Sequence, residues 1–201
     1  MINLYDYDIF ANNESTLKET SKDDADKNAI TYMTDSNIKV IDFDGVKDEY
    51  IANLSLRDTP KSNDVLYKHN DELYFIEFKN GNMDKEIYNI RRKIFDSLLI
   101  FTDIINRGIS FTRKYVKYIL VFNLENSKNY IVDILKKDEV QDSKSFDKIL
   151  DSFGSLANID SFDFFGLRKQ FKNLYFNDVY TYTSKEFDEK FIKQITSGQV
   201  F

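Results

Sequence analysis

The chain contains no cysteine, one proline and one histidine in 201 residues. Without cysteine there is no disulfide framework, no thiolate nucleophile and no zinc–thiolate site, and a reducing, cytoplasmic setting is expected. A single histidine restricts any Ser-His-Asp arrangement to His69. That residue falls in a polar turn between two apolar runs, where an exposed loop tip is the expectation. No Gly-rich phosphate loop, Gly-x-Ser-x-Gly elbow or His-Glu-x-x-His occurs. There is no apolar run of about 18 residues, so no membrane span is expected. Met1 to Asp8 lacks a basic region followed by an apolar one, so no signal peptide is expected either.

What is present belongs to a folded protein. The chain is 42% hydrophobic and 15% aromatic, enough to bury a substantial core at this length. A single domain over 1–201 is expected, with a core over about 36–125, an N-terminal helical segment and a C-terminal strand–helix extension. The wealth of Asn, Lys, Asp, Ile, Phe and Tyr is that of an AT-rich coding genome. Net charge is −6, unsuited to coating nucleic acid nonspecifically. The charge is uneven, however. Residues 1–60 hold 6 Lys/Arg and 13 Asp/Glu, whereas residues 79–118 hold 9 and 4. The second zone reads either as a phosphate-facing surface or as ordinary solubilising charge.

The most informative stretch is Ser62 to Gly81. Val65 to Tyr67 and Leu73 to Phe78 are apolar, and His69-Asn70-Asp71-Glu72 between them is turn-prone, so the segment reads as a hairpin. Residues two apart share a strand face, so Glu77 and Lys79 point one way and Phe78 the other. A carboxylate inside such an apolar strand is costly without compensation. Lys79 is one partner for it. A divalent cation is another, with Asp64 arriving from the adjacent strand, because hard oxygen ligands with open positions for water and phosphate suit Mg²⁺.

Asn63-Asp64, then twelve residues, then Glu77-Phe78-Lys79 resembles the PD-(D/E)xK nuclease superfamily, with Asn63 in place of the proline. The resemblance implies an α/β fold, bordering on α+β, with a central mixed sheet flanked by helices in a restriction-endonuclease-like core. It further implies Mg²⁺-dependent (or Mn²⁺-dependent) hydrolysis of phosphodiesters. Asp64 and Glu77 map onto the metal-binding carboxylates, with the backbone carbonyl of Phe78 assisting, and Lys79 maps onto the catalytic lysine. A first helix in the family often supplies a further acid near the metal. Glu14 and Glu19 are the candidates here, a solvated helix face being the other reading of each.

The rest of the chain reads as follows. Ile38–Phe43 is a strand, Asp44-Gly45 a turn, and 46–56 a short helix or irregular cover. A long helix is expected from about Asp84 to Asn106, with apolar residues at 87, 90, 94, 98, 101 and 105, Asn82 as N-cap and Gly108 as stop. Its opposite face would carry Lys85, Tyr88, Arg91, Arg92 and Lys93. Lys85, Arg91, Arg92 and Lys93 are the candidate nucleic-acid-binding residues, with surface pairs to Glu86 or Asp96 as the bland alternative. Tyr115–Phe122 is a central strand forming a βαβ unit with Leu73–Lys79. Residues 124–129 read as a turn, 129–135 as a short strand or helix start, and 143–156 as a helix. Residues 159–171 read as an aromatic cover, 174–182 as a last strand, and Thr183–Glu186 as a capping box opening a final helix. The acidic clusters Asp23-Asp24-Asp26 and Asp42-Asp44 lack EF-hand spacing and read as solvated charge.

Two functions remain in view. One is a metal-dependent nuclease acting on nucleic acid, DNA ahead of RNA, alone, as a homodimer or beside a protein partner. The other is a catalytically silent nuclease-like fold that binds protein, for example as an inhibitor in phage–host conflict.

Overall fold

The computed structural model describes residues 2–23, 30–137, 163 and 165–197; the side chains of 85 and 132–137 fall outside the described set. The fold grows outward from the hairpin of β5 (Val65–His69) and β6 (Glu72–Lys79), paired from Val65↔Ile76 to His69↔Glu72. The turn holds Asn70 at φ 52°, a left-handed conformation that asparagine tolerates better than most residues. His69 is therefore the last residue of a strand, half-buried and stacked on Tyr67, rather than an exposed loop tip.

Six strands form one mixed sheet in the order β1-β4-β5-β6-β7-β8. β1 (Glu14–Thr16), β4 (Lys39–Asp42), β5 and β6 run antiparallel in succession. β7 (Val116–Phe122) and β8 (Asp178–Thr183) then lie parallel to β6. The expected α/β architecture, a mixed sheet flanked by helices, is observed. β6 and β7 are buried along nearly their whole length, as central strands covered on both faces must be. A separate two-stranded ribbon pairs β2 (Lys22–Asp23) with β3 (Thr31–Tyr32).

Side-chain alternation divides the core into two layers. Leu73 and Phe75 of β6 and Tyr118, Leu120 and Phe122 of β7 join α3 (Phe43–Ile51), α4 (Met83–Ile104) and Ile131 of α6 (Leu124–Lys137) on one face. Tyr74, Ile76 and Phe78 meet Leu17 of α2 (Leu17–Thr20) and the C-terminal helical segment on the other. That segment opens with α8 (Ser184–Glu186), passes through a π-helical stretch at Phe187–Ile192 and ends as α9 (Lys193–Ser197). Thr183 and Glu186 form the expected capping box, and Phe187, Phe191 and Ile195 are buried, with Ile192 half-buried. Among the described residues the remaining α-helices are α1 (Asp8–Ala11), α5 (Ile109–Tyr115) and α7 (Leu167–Phe171). Among the described residues no helix is long and apolar enough to cross a membrane.

Several local expectations are corrected. Asp44-Gly45 is no turn: Asp42 Oδ1 accepts from the N–H groups of Asp44 and Gly45, so α3 begins there. Gly45 also faces Asn13, whose side-chain oxygen would lie 2.3 Å from any Cβ at that position. α4 is capped by Asn82 as expected and ends at Ile104, close to the expected end, with Asn106 beyond it left-handed at φ 50°; Gly108 is not its stop but precedes α5, which was not expected. Residues 124–137 are one helix, where a turn and a short strand or helix start were expected. The last strand starts at Asp178, not Leu174. Phe165 and Phe171 are buried core, Phe165 packing on Phe122 and Tyr130. The helix expected over 143–156, together with Phe162 and Phe164, lies outside the described residues.

Candidate functional site

The motif residues meet at the carboxyl end of β6. Asp64 immediately precedes β5 and is fixed from several sides. Its carbonyl accepts from Phe43 N–H at 3.0 Å, and its carboxylate Oδ2 accepts from Phe78 N–H at 2.6 Å. The preceding residue, Asn63, donates its backbone N–H to Ser97 Oγ of α4 at 2.8 Å. Glu77 and Lys79 share the face of β6 that looks at α4, and Phe78 points to the opposite face, against Phe187, as the strand period requires. Phe78 thus contributes a backbone donor to Asp64.

Between the two carboxylates sits a lysine, but not the one in the motif. Lys93 Nζ donates to Glu77 Oε1 at 2.7 Å and to Asp64 Oδ1 at 3.0 Å. Lys79 turns aside and pairs with Glu86 Oε2 of α4 at 3.1 Å. Lys93 therefore faces the sheet, contrary to its expected place on the outer face of the helix. Helical geometry gives the reason. Residues 86, 90, 93 and 97 recur at spacings of four and three along one line of α4. Ile90 and Ser97 on that line are buried, and the line lies over β6.

Burial and the charge of Asp64 hold the Glu77 carboxyl well above its ordinary range, the Lys93 ammonium opposing this. Burial likewise raises Asp64, against the pull of Lys93 and Phe78 N–H. For Lys93 the effect of burial is outweighed by the two carboxylates, so its ammonium is stabilised. The side chain of Glu77 is only 1% exposed, compared with 15% for Asp64 and 22% for Lys93. Its second oxygen, Oε2, is buried with no hydrogen-bond partner, and so is the hydroxyl of Tyr118 on β7. Tyr118 is raised by burial and by the nearby charges of Glu77 and Asp64.

Asp64, Phe78 and Lys79 form part of the wall of a pocket of about 560 Å³. The pocket is strongly acidic. Glu19, Asp23, Asp42, Asp44 and Glu86 join Asp64 in its wall, against Lys22 and Lys79. Glu19 thus shares the pocket with Asp64. Glu14 instead lies on β1, bound to Tyr5 and Lys39, each at 2.7 Å. Asp42 and Asp44, read from sequence as solvated charge, belong to this wall because β4 ends beside the start of β5, where Asp42 faces Val65. Asp44 is hydrogen-bonded to Ser62, and burial raises the carboxyl of Asp42. The signal available in the sequence was the position of these acids at a strand end two strands from Glu77. Of the other acidic cluster, Asp24 and Asp26 lie outside the described residues.

One side of the pocket is braced by Asn80. Its side chain donates to Asp23 at 2.8 Å, its Oδ1 accepts from Asn123 at 2.7 Å, and its carbonyl accepts from Asn126 at 2.7 Å. The four candidate nucleic-acid-binding residues do not form one exposed stripe. Lys93 is turned inward, Arg92 pairs with Asp96 at 3.5 Å, and Arg91 has a buried Nε without a hydrogen-bond partner. The side chain of Lys85 is outside the described residues. Among the described residues, no three or more His, Cys, Asp or Glu side chains converge as a ready-made metal cage. In comparisons with protein-family models, curated proteins and solved structures, none matches this chain.

Proposed function

We propose that the protein is a metal-dependent nuclease that hydrolyses nucleic-acid phosphodiester bonds at the pocket beside Asp64, Glu77 and Lys79. One observation carries this reading: two carboxylates and a lysine converge at the carboxyl end of β6, where it lies parallel to β7, and Asp64 and Lys79 open onto a concave pocket. Ligand sites in sheets with parallel strands favour that end. The pocket is within the usual size of a ligand site, and acids with raised pKa in a cleft mark a candidate reactive site.

The residues fit Mg²⁺ or Mn²⁺. Such ions take one or two carboxylates and keep several waters, so a cage of three protein acids is not required. Asp64 and Glu77 would hold the ion, and the unpartnered Oε2 of Glu77 leaves an acceptor available for it. When bound, the ion would polarise a phosphoryl oxygen and lower the pKa of a coordinated water. The chain itself does the positioning. Phe78 N–H fixes one oxygen of Asp64. The buried strand holds Glu77 at one depth. Lys79, released from Glu86, would place a positive charge against the phosphate. The acidic wall would repel a bare phosphodiester, so substrate binding should depend on the cation.

The test is cleavage of labelled single- and double-stranded DNA and RNA with Mg²⁺ or Mn²⁺, comparing wild type with Glu77→Ala and Lys79→Ala. Metal-dependent cutting is expected, falling by two orders of magnitude or more in either variant with the circular dichroism spectrum unchanged. A Glu77→Ala protein that cuts normally would overturn the assignment of roles. Lack of cutting on every substrate would favour the second reading, a silent fold that binds protein. The observation on that side is the salt bridge of Lys93, which already pairs one oxygen of each carboxylate without a metal.

A further inference from the structure

The ammonium of Lys93 is no ordinary surface charge. It is shared between Asp64 and Glu77 at 3.0 and 2.7 Å, and one of these partners is almost wholly out of water. Charge-assisted hydrogen bonds to buried carboxylates are among the stronger polar contacts in proteins, and removing one partner is expensive. The helix holding Lys93 is itself pinned to the site one turn later, where Ser97 binds the backbone beside Asp64. Lys79, the lysine adjacent in sequence, is engaged elsewhere with Glu86.

We propose that Lys93 is an internal counter-cation that occupies the position between Asp64 and Glu77, so that a divalent ion enters only by displacing it. The inference rests on the metal-site reading above and adds to it a control on metal entry. A +1 ammonium and a +2 ion cannot both lie between the same two carboxylates without strong repulsion. Metal binding therefore exchanges two lysine–carboxylate contacts for two metal–carboxylate contacts, and affinity is reduced by whatever the lysine contacts contribute. The exchange also swings a lysine out from between the carboxylates. In the metal-free protein the same contacts hold the carboxylates together and keep β6 joined to α4.

The experiment is Mn²⁺ titration of the full chain by calorimetry, comparing wild type, Lys93→Met, Lys93→Arg and Asp64→Asn. Lys93→Met keeps the stem and removes the charge, so it should bind Mn²⁺ at least tenfold more tightly than wild type. Lys93→Arg keeps a competing cation and should stay within a few-fold of wild type. Asp64→Asn should abolish binding. Should Lys93→Met fail to fold, wild type decides alone. Acylation by an amine-reactive reagent, read by mass spectrometry, should increase severalfold at Lys93 when Mn²⁺ is added. Wild-type binding with Lys93→Met equal or weaker, or Lys93 labelling that is unchanged or lower with Mn²⁺, would overturn the displacement and leave the metal site standing. If neither wild type nor a folded Lys93 variant binds Mn²⁺, both readings fall.

Discussion

Ser97 shows how much of the site depends on residues that carry no charge. Its hydroxyl oxygen is the acceptor for the backbone N–H of Asn63, and both residues are fully buried. Replacement by alanine leaves that N–H without a partner, at a cost of about 1–3 kcal/mol. For a chain of this length, Ser97→Ala should lower the thermal midpoint by roughly 2–12 °C, since each kcal/mol is worth about 2–4 °C. Because Asn63 precedes Asp64, the variant should also lose activity beyond what the lost stability explains. Thermal denaturation followed by circular dichroism, with cleavage assayed well below the midpoint, separates the two effects. Asp64, Glu77 and Lys79 were legible in the sequence because strand periodicity places Glu77 and Lys79 on one face and a hairpin returns Asp64 beside them. Lys93 was misplaced because a local count of charges assigns every basic residue of α4 to the outer face. The 86-90-93-97 line, with its buried isoleucine and serine, was present in the same residues but is visible only once the sheet beneath the helix is known.

The hairpin, the long helix and strand β7 were readable as elements because each is a long, regular pattern bounded by Asn70-Asp71, Asn82 or a polar break. What escaped were short elements whose ends depend on tertiary contacts. α3 starts at a cap supplied by Asp42, inside what reads as a strand–turn boundary. α5 has no side-chain cap and is held by Thr112, whose hydroxyl donates to the carbonyl of Tyr175 at 2.7 Å. The final helix is the opposite case, since its start is written locally. Thr183 and Glu186 satisfy each other's backbone N–H groups at 3.2 and 3.0 Å. Thr183→Ala should therefore destabilise the protein by about 1 kcal/mol. Hydrogen exchange should quicken first in the backbone of residues 184–187. Uniform quickening across the sheet, with nothing specific to that turn, would show that the cap matters only through global stability.

At the scale of the whole molecule, the phenols held above their ordinary range set the response to alkali. Burial and a bond to Glu14 push the hydroxyl of Tyr5 up to about 12. Tyr67, Tyr74, Tyr118 and Tyr130 are raised chiefly by burial, and Tyr50 chiefly by its bond to Asp103. A group raised in the folded state binds its proton more tightly there than in the unfolded chain. Its contribution to stability is full below the unfolded value near 10 and is lost as pH rises through the folded value. The protein should therefore lose stability steeply above about pH 10. Phenolate absorbance should rise late and cooperatively, with unfolding, for the buried Tyr74 and Tyr118. A smooth titration of all tyrosines near pH 10, with the fold intact, would contradict their burial.

The order of the sheet has one more consequence. From β4 to β8 every strand lies beside its sequence neighbour, and Asp64, Glu77, Lys79 and Lys93 with the residues that fix them, Phe43 to Ser97, fall in one stretch of the chain, the wall residues Glu19, Lys22 and Asp23 coming earlier still. β7 and β8 contribute packing, whereas Asp64, Glu77, Lys79, Lys93 and the serine that pins them come from this earlier stretch. During synthesis, Asp64, Glu77, Lys79 and Lys93 are made before the last two of the six strands. Until β7 arrives, one edge of β6 has no partner, and Glu77, the most deeply buried acid of the site, remains open to water. If the strands assemble in the order of synthesis, this charged centre stays hydrated early and is sealed late, when Leu120 closes alongside Glu77.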